Sequence, residues 1–181
     1  MDFVKSLKKY AERRAKELKV LGTTSVTAEA AEVGVAGNKL TFRLGVERIA
    51  AWKLYVELNT RIATQVLRDS EGTLREAMSS LHKLFEVTRQ ILKEAGPAVG
   101  IERESLGFYA MEILNQVLRP FLSKWHPEYL AWEERRDPNM STVEHERTWP
   151  RVSAFRRELE SVAIKLRIYS DALAKIAGIS T

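Results

Sequence analysis

Two arginine–histidine pairs are the residues of this sequence whose types and spacing best suit chemistry. Arg119 and His126 are seven residues apart, so on a continuous helix they share one face, two turns apart. A second pair with the same spacing, Arg75 and His82, lies upstream. An imidazole can exchange protons near neutral pH, and a guanidinium can stabilise the negative charge of a phosphate. Each pair is therefore a candidate site for cleaving an RNA phosphodiester.

The Arg-x6-His spacing is similar to the Arg-x4–6-His signature of HEPN ribonucleases, which are also small helical bundles. The resemblance implies a dimer that pools two Arg/His sets against an RNA phosphate without a metal ion. Arginines are so frequent in this chain that about one such pair is expected by chance, and a single motif match is only a hypothesis. In addition, Pro120 stands where a polar residue often follows the arginine. A HEPN-like ribonuclease that uses Arg119 and His126 is thus an alternative hypothesis.

The same stretch also has a structural interpretation. Pro120 removes a helical N–H and frees the carbonyl of Gln116, which predicts a kink. Arg119 is then expected to donate to freed carbonyls or to a carboxylate such as Glu57, which is itself spaced i,i+4 from Arg61. Pro127 disfavours helical geometry at the preceding residue, so the sequence Trp-His-Pro predicts the end of this helix. On this interpretation, Arg119 and His126 have a structural role in the helix and no catalytic one.

Metal and cofactor chemistry finds little support in the sequence. The chain has no cysteine, which excludes thiol catalysis, disulfides and iron–sulfur clusters. The three histidines lack ligand spacing; beside His145 stand Glu144 and Glu146, whose side chains would point to different faces. A glycine-rich phosphate loop is missing as well. We therefore predict no metal and no cofactor.

The basic charge is concentrated in the first 20 residues, which hold seven lysines and arginines against three acids within a chain of net charge +5. An apolar stripe at helical spacing predicts an amphipathic helix there. That helix could pack on the bundle with its lysines in solvent, dock on a protein partner, or touch RNA, DNA or an anionic membrane surface. The candidate binding residues are Lys5, Lys8, Lys9, Arg13, Arg14 and Lys16.

Length and composition predict one domain over residues 1–181, since 45% hydrophobic and 29% charged residues are ordinary for a globular protein. The start of the chain has no apolar signal core, and no apolar run reaches the length of a membrane span. Together with the lack of cysteine, these features predict a cytoplasmic protein without a transmembrane segment.

The predicted fold is mainly α: about four long antiparallel helices plus an N-terminal amphipathic helix and a small β-hairpin. The alternation in "KLTFRL" and the preceding "EVGVAGN" predict the hairpin at about 30–44, within a region of low helical periodicity at 22–45. Helical periodicity then predicts the bundle over 46–178. Its helices are expected at 46–67, 73–96, 102–126, 127–135 and 149–177. Gly96-Pro97 and a capping box at Ser141–Glu144 mark two of the boundaries.

Four segments resemble a group of small bacterial helical proteins and domains linked to conflict or defence systems. They are "AAWKLYVELNTRIATQVL", "GTLREAMSSLHKLFEVTRQIL", "EILNQVLRPFLSKWHPEY" and "FRRELESVAIKLRIYSDALAKIAGI". The recurring features of the group look like E-L-Y-V-E-L-x-T-R, S-L-F-x-x-T-R-x-I-L and L-N-x-x-L-R-P-F-x-x-K-W-H. The resemblance implies a shared polar pattern that comprises Glu57, Arg61, Asn115, Arg119, Trp125 and His126.

The leading functional hypothesis is a non-enzymatic protein-interaction or regulatory module of a bacterial system. A protein partner and self-association are expected. The alternatives are the HEPN-like ribonuclease and the binding of a nucleic acid or an anionic surface through the basic N-terminal helix.

Overall fold

A computed structural model of the protein describes residues 2–20, 36–61, 72–100 and 103–179, and every regular element in these ranges is helical. The elements in chain order are α1 (Phe3–Val20), α2 (Ala36–Asn59), α3 (Leu74–Ala95), a 3₁₀ turn (Gly96–Val99), α4 (Leu106–Glu112), a π-helical turn (Ile113–Leu118), α5 (Arg119–Glu133), α6 (Thr142–Arg147) and α7 (Val152–Ala177). The prediction of a mainly α protein is confirmed.

The predicted β-hairpin is wrong where the structure describes it. Residues 36–44, which include "KLTFRL", belong to α2 instead of a strand. A spacing of four between apolar residues suits a helix as readily as a strand, and a six-residue pattern cannot separate the two periods. The remainder of the hairpin, in residues 22–35, lies outside the described residues. So does the predicted end of the second helix at 62–67.

The third predicted helix is longer and less regular than expected. A π-helical turn lies immediately before Pro120, where a kink was expected, and the Arg119 N–H bonds there to the Leu114 carbonyl. Pro127 does not end the helix, because α5 continues through it to Glu133. Pro127 and Ser123, one turn back, are both exposed. The carbonyl that Pro127 leaves without a helical donor therefore faces water, where it can be satisfied.

One hydrophobic cluster draws side chains from α1, α2, α3, α4, α5 and α7. Helix α7 packs against α1 and α2, α2 packs against α3, and α3 lies beside α5. The buried side chains of α1 (Leu7, Tyr10 and Ala11) belong to this core. The expected arrangement of four long antiparallel helices is not supported, since α1 is an integral layer and the π-helical turn divides the third helix.

Two of the predicted helix boundaries, at Gly96 and at Ser141, are confirmed. The capping box is present, with the Ser141 side chain accepting from the Glu144 N–H and the Glu144 carboxylate accepting from the Ser141 N–H. Helix α3 ends at Gly96, whose φ of 63° suits glycine, and α7 ends at Gly178 in the left-handed conformation. None of the helices in the described ranges combines the length and apolar composition of a membrane span.

Candidate functional site

The exposed side of α1 carries a line of lysines, which we call the lysine face: Lys5, Lys8, Lys9, Lys16 and Lys19. At about 3.6 residues per turn these positions fall within roughly 100° of the helix circumference. All five are exposed, and none forms an ion pair with another residue that the structure describes. Glu12 is the one acidic position within the stripe and is also exposed. The lysine face therefore presents positive charge that the described structure leaves uncompensated.

The two arginines among the sequence candidates have a different role. The Arg13 guanidinium donates to the Glu104 carboxylate at 3.0 Å and to the Glu104 carbonyl at 3.3 Å. Arg14 donates to Glu17 at 2.6 Å, and its Nε lies 2.9 Å from Oε2 of Glu47, an ion-pair contact without hydrogen-bond alignment. Both arginines thus hold α1 in place, so the predicted binding set divides into lysines for the surface and arginines for anchoring.

A buried carboxylate fixes α1 to the rest of the protein. Glu47 of α2 is 2% exposed, accepts a hydrogen bond from the Tyr10 hydroxyl, and accepts from the Leu106 N–H at 3.4 Å. Burial, together with the negative charge of Glu47, raises the pKa of the Tyr10 hydroxyl far above its ordinary value. A further hydrogen bond of 2.6 Å joins Ser6 to the Tyr109 hydroxyl. Helix α1 is therefore docked by polar as well as apolar contacts.

Lysines on other helices show how the lysine face differs. Lys53 of α2, Lys83 of α3 and Lys124 of α5 lie 2.8, 3.2 and 2.5 Å from the carboxylates of Glu94, Glu86 and Glu158 respectively. Such surface pairs contribute little stability, but they neutralise the local field. Lys93 of α3 and Lys165 and Lys175 of α7 are also exposed without a described ion pair, so what distinguishes α1 is that its five unpaired lysines share one face.

The second candidate site is the seam between α3 and α5. The His82 and His126 rings meet edge to face, with centroids 4.8 Å apart. On one side of them the Arg119 guanidinium lies over the Phe85 ring, 5.5 Å from its centroid. On the other side, Arg75 forms an ion pair of 2.6 Å with Glu133. Residues later in α3 contact residues earlier in α5, so the two helices are antiparallel. We call this set of six residues the histidine seam.

All four members of the two Arg-x6-His pairs therefore lie on the histidine seam, although each arginine is engaged away from the histidines. His82 is exposed and His126 is half-buried. Burial first, and then the positive charge of His126, lowers the pKa of His82, while Glu86 opposes the shift. His82 is thereby favoured in its neutral form, which can accept a proton.

The polar pattern implied by the resemblance does not form one cluster. Arg119 is exposed and contacts Phe85, whereas Glu57 of α2 accepts at 3.0 Å from Arg61, which lies two residues beyond the end of that helix. The freed carbonyls and the Glu57 carboxylate, which were the partners expected for Arg119, are not among its described contacts. Asn115 is exposed on the π-helical turn. Trp125 is fully buried, and its indole N–H donates to Glu158 at 2.8 Å, so its role is in the core.

A third polar site, around Glu146, was missed by sequence reasoning. Glu146 is 4% exposed and accepts from the Leu74 and Arg75 N–H groups at 2.9 and 3.3 Å, which caps the start of α3. The Tyr129 hydroxyl donates to the same carboxylate at 2.5 Å. A cavity of about 430 Å³ adjoins Glu146. Since the carboxylate is occupied by three donors, we assign it a structural role. A cap supplied by a residue so distant in the chain leaves no local sequence signal.

The described residues contain no group of three or more histidine, aspartate or glutamate side chains placed to hold a metal ion. His145 is buried, stacks on Trp132 with centroids 4.8 Å apart, and its Nε2 lies 2.8 Å from the Trp132 carbonyl. It is thus a core histidine. No protein-family model, curated protein or solved structure matches this chain. The resemblance to bacterial conflict-system proteins stays a prediction.

Proposed function

We propose that this protein is a non-enzymatic binding module that holds an anionic partner on the lysine face of α1. The observation that carries the proposal is the line of five exposed lysines without described ion-pair partners, on a helix whose opposite side is buried in the core. An uncompensated line of like charge attracts polyanions and accelerates their association. The resemblance would place such a module in a bacterial conflict or defence system.

The docking of α1 supports this proposal. The contacts of Tyr10 and Arg14 with Glu47 hold the helix before any partner arrives. A surface that is already ordered loses less conformational entropy on binding than a flexible tail of the same charge. The lysine side chains still move, but the backbone that spaces them is set.

The test is binding to a generic polyanion, heparin, measured at increasing salt. We expect the wild-type protein to bind and the K8A/K9A/K16A variant to elute at clearly lower salt. The matched control is K93A/K165A/K175A, which removes three exposed lysines of α3 and α7 and changes the net charge equally. If the two variants elute together, binding follows net charge alone and the lysine face has no special role.

A second candidate function, metal-independent RNA cleavage, is favoured by one contact. The two histidines from separate Arg-x6-His pairs touch across the histidine seam, and the pKa of one is lowered. Two imidazoles side by side could act as the base and the acid of such a cleavage. This candidate requires cleavage of RNA in EDTA that both His82→Gln and His126→Gln abolish while remaining folded. Intact RNA after incubation with the folded wild-type protein would exclude it.

A further inference from the structure

We infer that the partner of the lysine face is the phosphate backbone of a nucleic acid duplex, bound without sequence preference. This inference rests on the proposed function and narrows it to one class of ligand. Three classes of large polyanion could meet such a surface: an anionic membrane, an acidic protein and a nucleic acid. The side chains that α1 buries and those that it exposes distinguish between these three classes of ligand.

A membrane surface fits poorly, because the apolar side of α1 is already used. Helices that lie on bilayers insert their apolar face among the lipid chains. In α1 that face is in the core, with Leu7 and Tyr10 each 1% exposed and Ala11 fully buried. Phe3 packs against Tyr109, with ring centroids 5.8 Å apart. Freeing these side chains would also break the contacts with Glu47.

A protein partner fits poorly because of the side chains on the lysine face. Protein interfaces are depleted in lysine and enriched in aromatic residues and arginine, which supply most of the binding energy. The lysine face has neither an aromatic side chain nor an arginine, since Tyr10 is buried and Arg13 and Arg14 are engaged with glutamates. Long lysine side chains can meet phosphates as point charges without a fixed geometry.

The dimensions of the lysine face suit a polymer of phosphates. From Lys5 to Lys19 the helix rises by about 21 Å, at ~1.5 Å per residue. A duplex carries about one charge per 1.7 Å, so roughly 12 phosphates lie along that length and several registers are equivalent. A free phosphate would engage only one or two lysines. Because no base-reading or stacking side chain lies among the lysines, we expect neither sequence preference nor preference for single strands.

Glu12 provides a specific test of binding to a phosphate backbone. It lies within the lysine face, between Lys9 and Lys16, and divides the lysines into two groups. A phosphate backbone that tracks the whole face must pass this carboxylate. We therefore expect Glu12→Gln to bind a duplex more tightly than the wild type, by about two- to fivefold at low salt, from the loss of one repulsive contact.

The experiment titrates the full chain with two 20-base-pair duplexes of unrelated sequence, with polyglutamate and with vesicles rich in anionic lipid. We expect the two duplexes to bind alike, with log K falling against log salt at a slope of up to about −4.5, from ~0.9 per phosphate contact. K8A/K9A/K16A should reduce the slope to about −2 and the affinity at least tenfold, while K93A/K165A/K175A changes neither comparably.

Failure of this inference differs from failure of the proposed function. If polyglutamate or the vesicles bind through the lysine face and the duplexes do not, the anionic-partner module stands and the nucleic-acid assignment is wrong. A difference above tenfold between the two duplex sequences also overturns the inference. If none of the polyanions binds, both proposals fail.

Discussion

The lysine face and the histidine seam differ in how far their side chains contact other described residues of the protein. On the histidine seam, Arg75 is paired with Glu133, Arg119 covers Phe85, and the two histidines contact each other. On the lysine face, none of the five lysines has a described ion-pair partner, and Glu12 is the one carboxylate among them. Side chains that contact one another within the protein can be structural, whereas unpaired charge is available to an external ligand. The residues of the two Arg-x6-His pairs, which match a catalytic motif, are thus the ones already engaged in contacts within the protein.

The largest effect is expected from removing the anchor of the lysine face. Glu47→Ala leaves the Tyr10 hydroxyl, the Leu106 N–H and Arg14 without their buried acceptor. We expect the free energy of unfolding to fall by about 3 kcal/mol, as for a broken buried ion pair. Chemical denaturation measures the change. Glu94→Ala, which removes an exposed ion pair with Lys53, is the control and should leave the unfolding free energy almost unchanged.

The second effect is on binding instead of stability. K8A/K9A/K16A should lose at least about tenfold in duplex affinity at moderate salt and keep the wild-type denaturation midpoint, since none of the three side chains has a described ion-pair partner. Fluorescence anisotropy and a urea titration give the two quantities. A lowered midpoint would mean that these lysines are structural, and the contrast with the histidine seam would disappear.

A smaller effect is expected at Arg119. Its described side-chain contact is with the face of Phe85, and an exposed cation–π contact contributes about 0.5 kcal/mol. Arg119→Ala should therefore lower the melting temperature only slightly, and Arg119→Lys should retain part of the contact. Thermal denaturation of both variants provides the comparison. A loss above about 2 kcal/mol would show that the arginine does more in the fold than cover Phe85.

The smallest effect concerns the pH dependence of the histidine seam. Because the pKa of His82 is lowered on folding, the unfolded chain binds this proton more readily. Stability should thus fall as the pH drops through about 6.5, the ordinary histidine value, towards the lowered pKa. In His82→Gln this part of the pH dependence should be missing. In His126→Gln, NMR titration should show the His82 pKa moving part of the way back upwards, because burial remains. An unchanged value would contradict the contribution assigned to His126.

The success of sequence reasoning depended on the range of the interactions involved. The caps at Gly96 and Ser141 are set by neighbours within a few residues, and they were predicted. Strand alternation in "KLTFRL" was too short a signal against a helix that begins at Ala36. The termination expected at Pro127 failed because the carbonyl it frees is on an exposed turn, where a helix tolerates proline.

The candidate functional sites could likewise be predicted only where their residues are close together in the sequence. The lysine positions of α1 could be placed on one face from their spacing alone. The contact between His82 and His126 could not, because it depends on which helices are neighbours and on their register. The cap that Glu146 supplies to α3 joins residues far apart in the chain, and so does the hydrogen bond between Tyr10 and Glu47. No short sequence pattern indicates either contact.

The most direct test of the account is to map where a polyanion binds by two-dimensional NMR. Titrating the labelled protein with a short duplex at low salt should shift the backbone amides of residues 5–19 and leave the ring signals of His82 and His126 in place. The opposite pattern, with the histidine signals shifted and α1 silent, would contradict the account and move the site to the histidine seam.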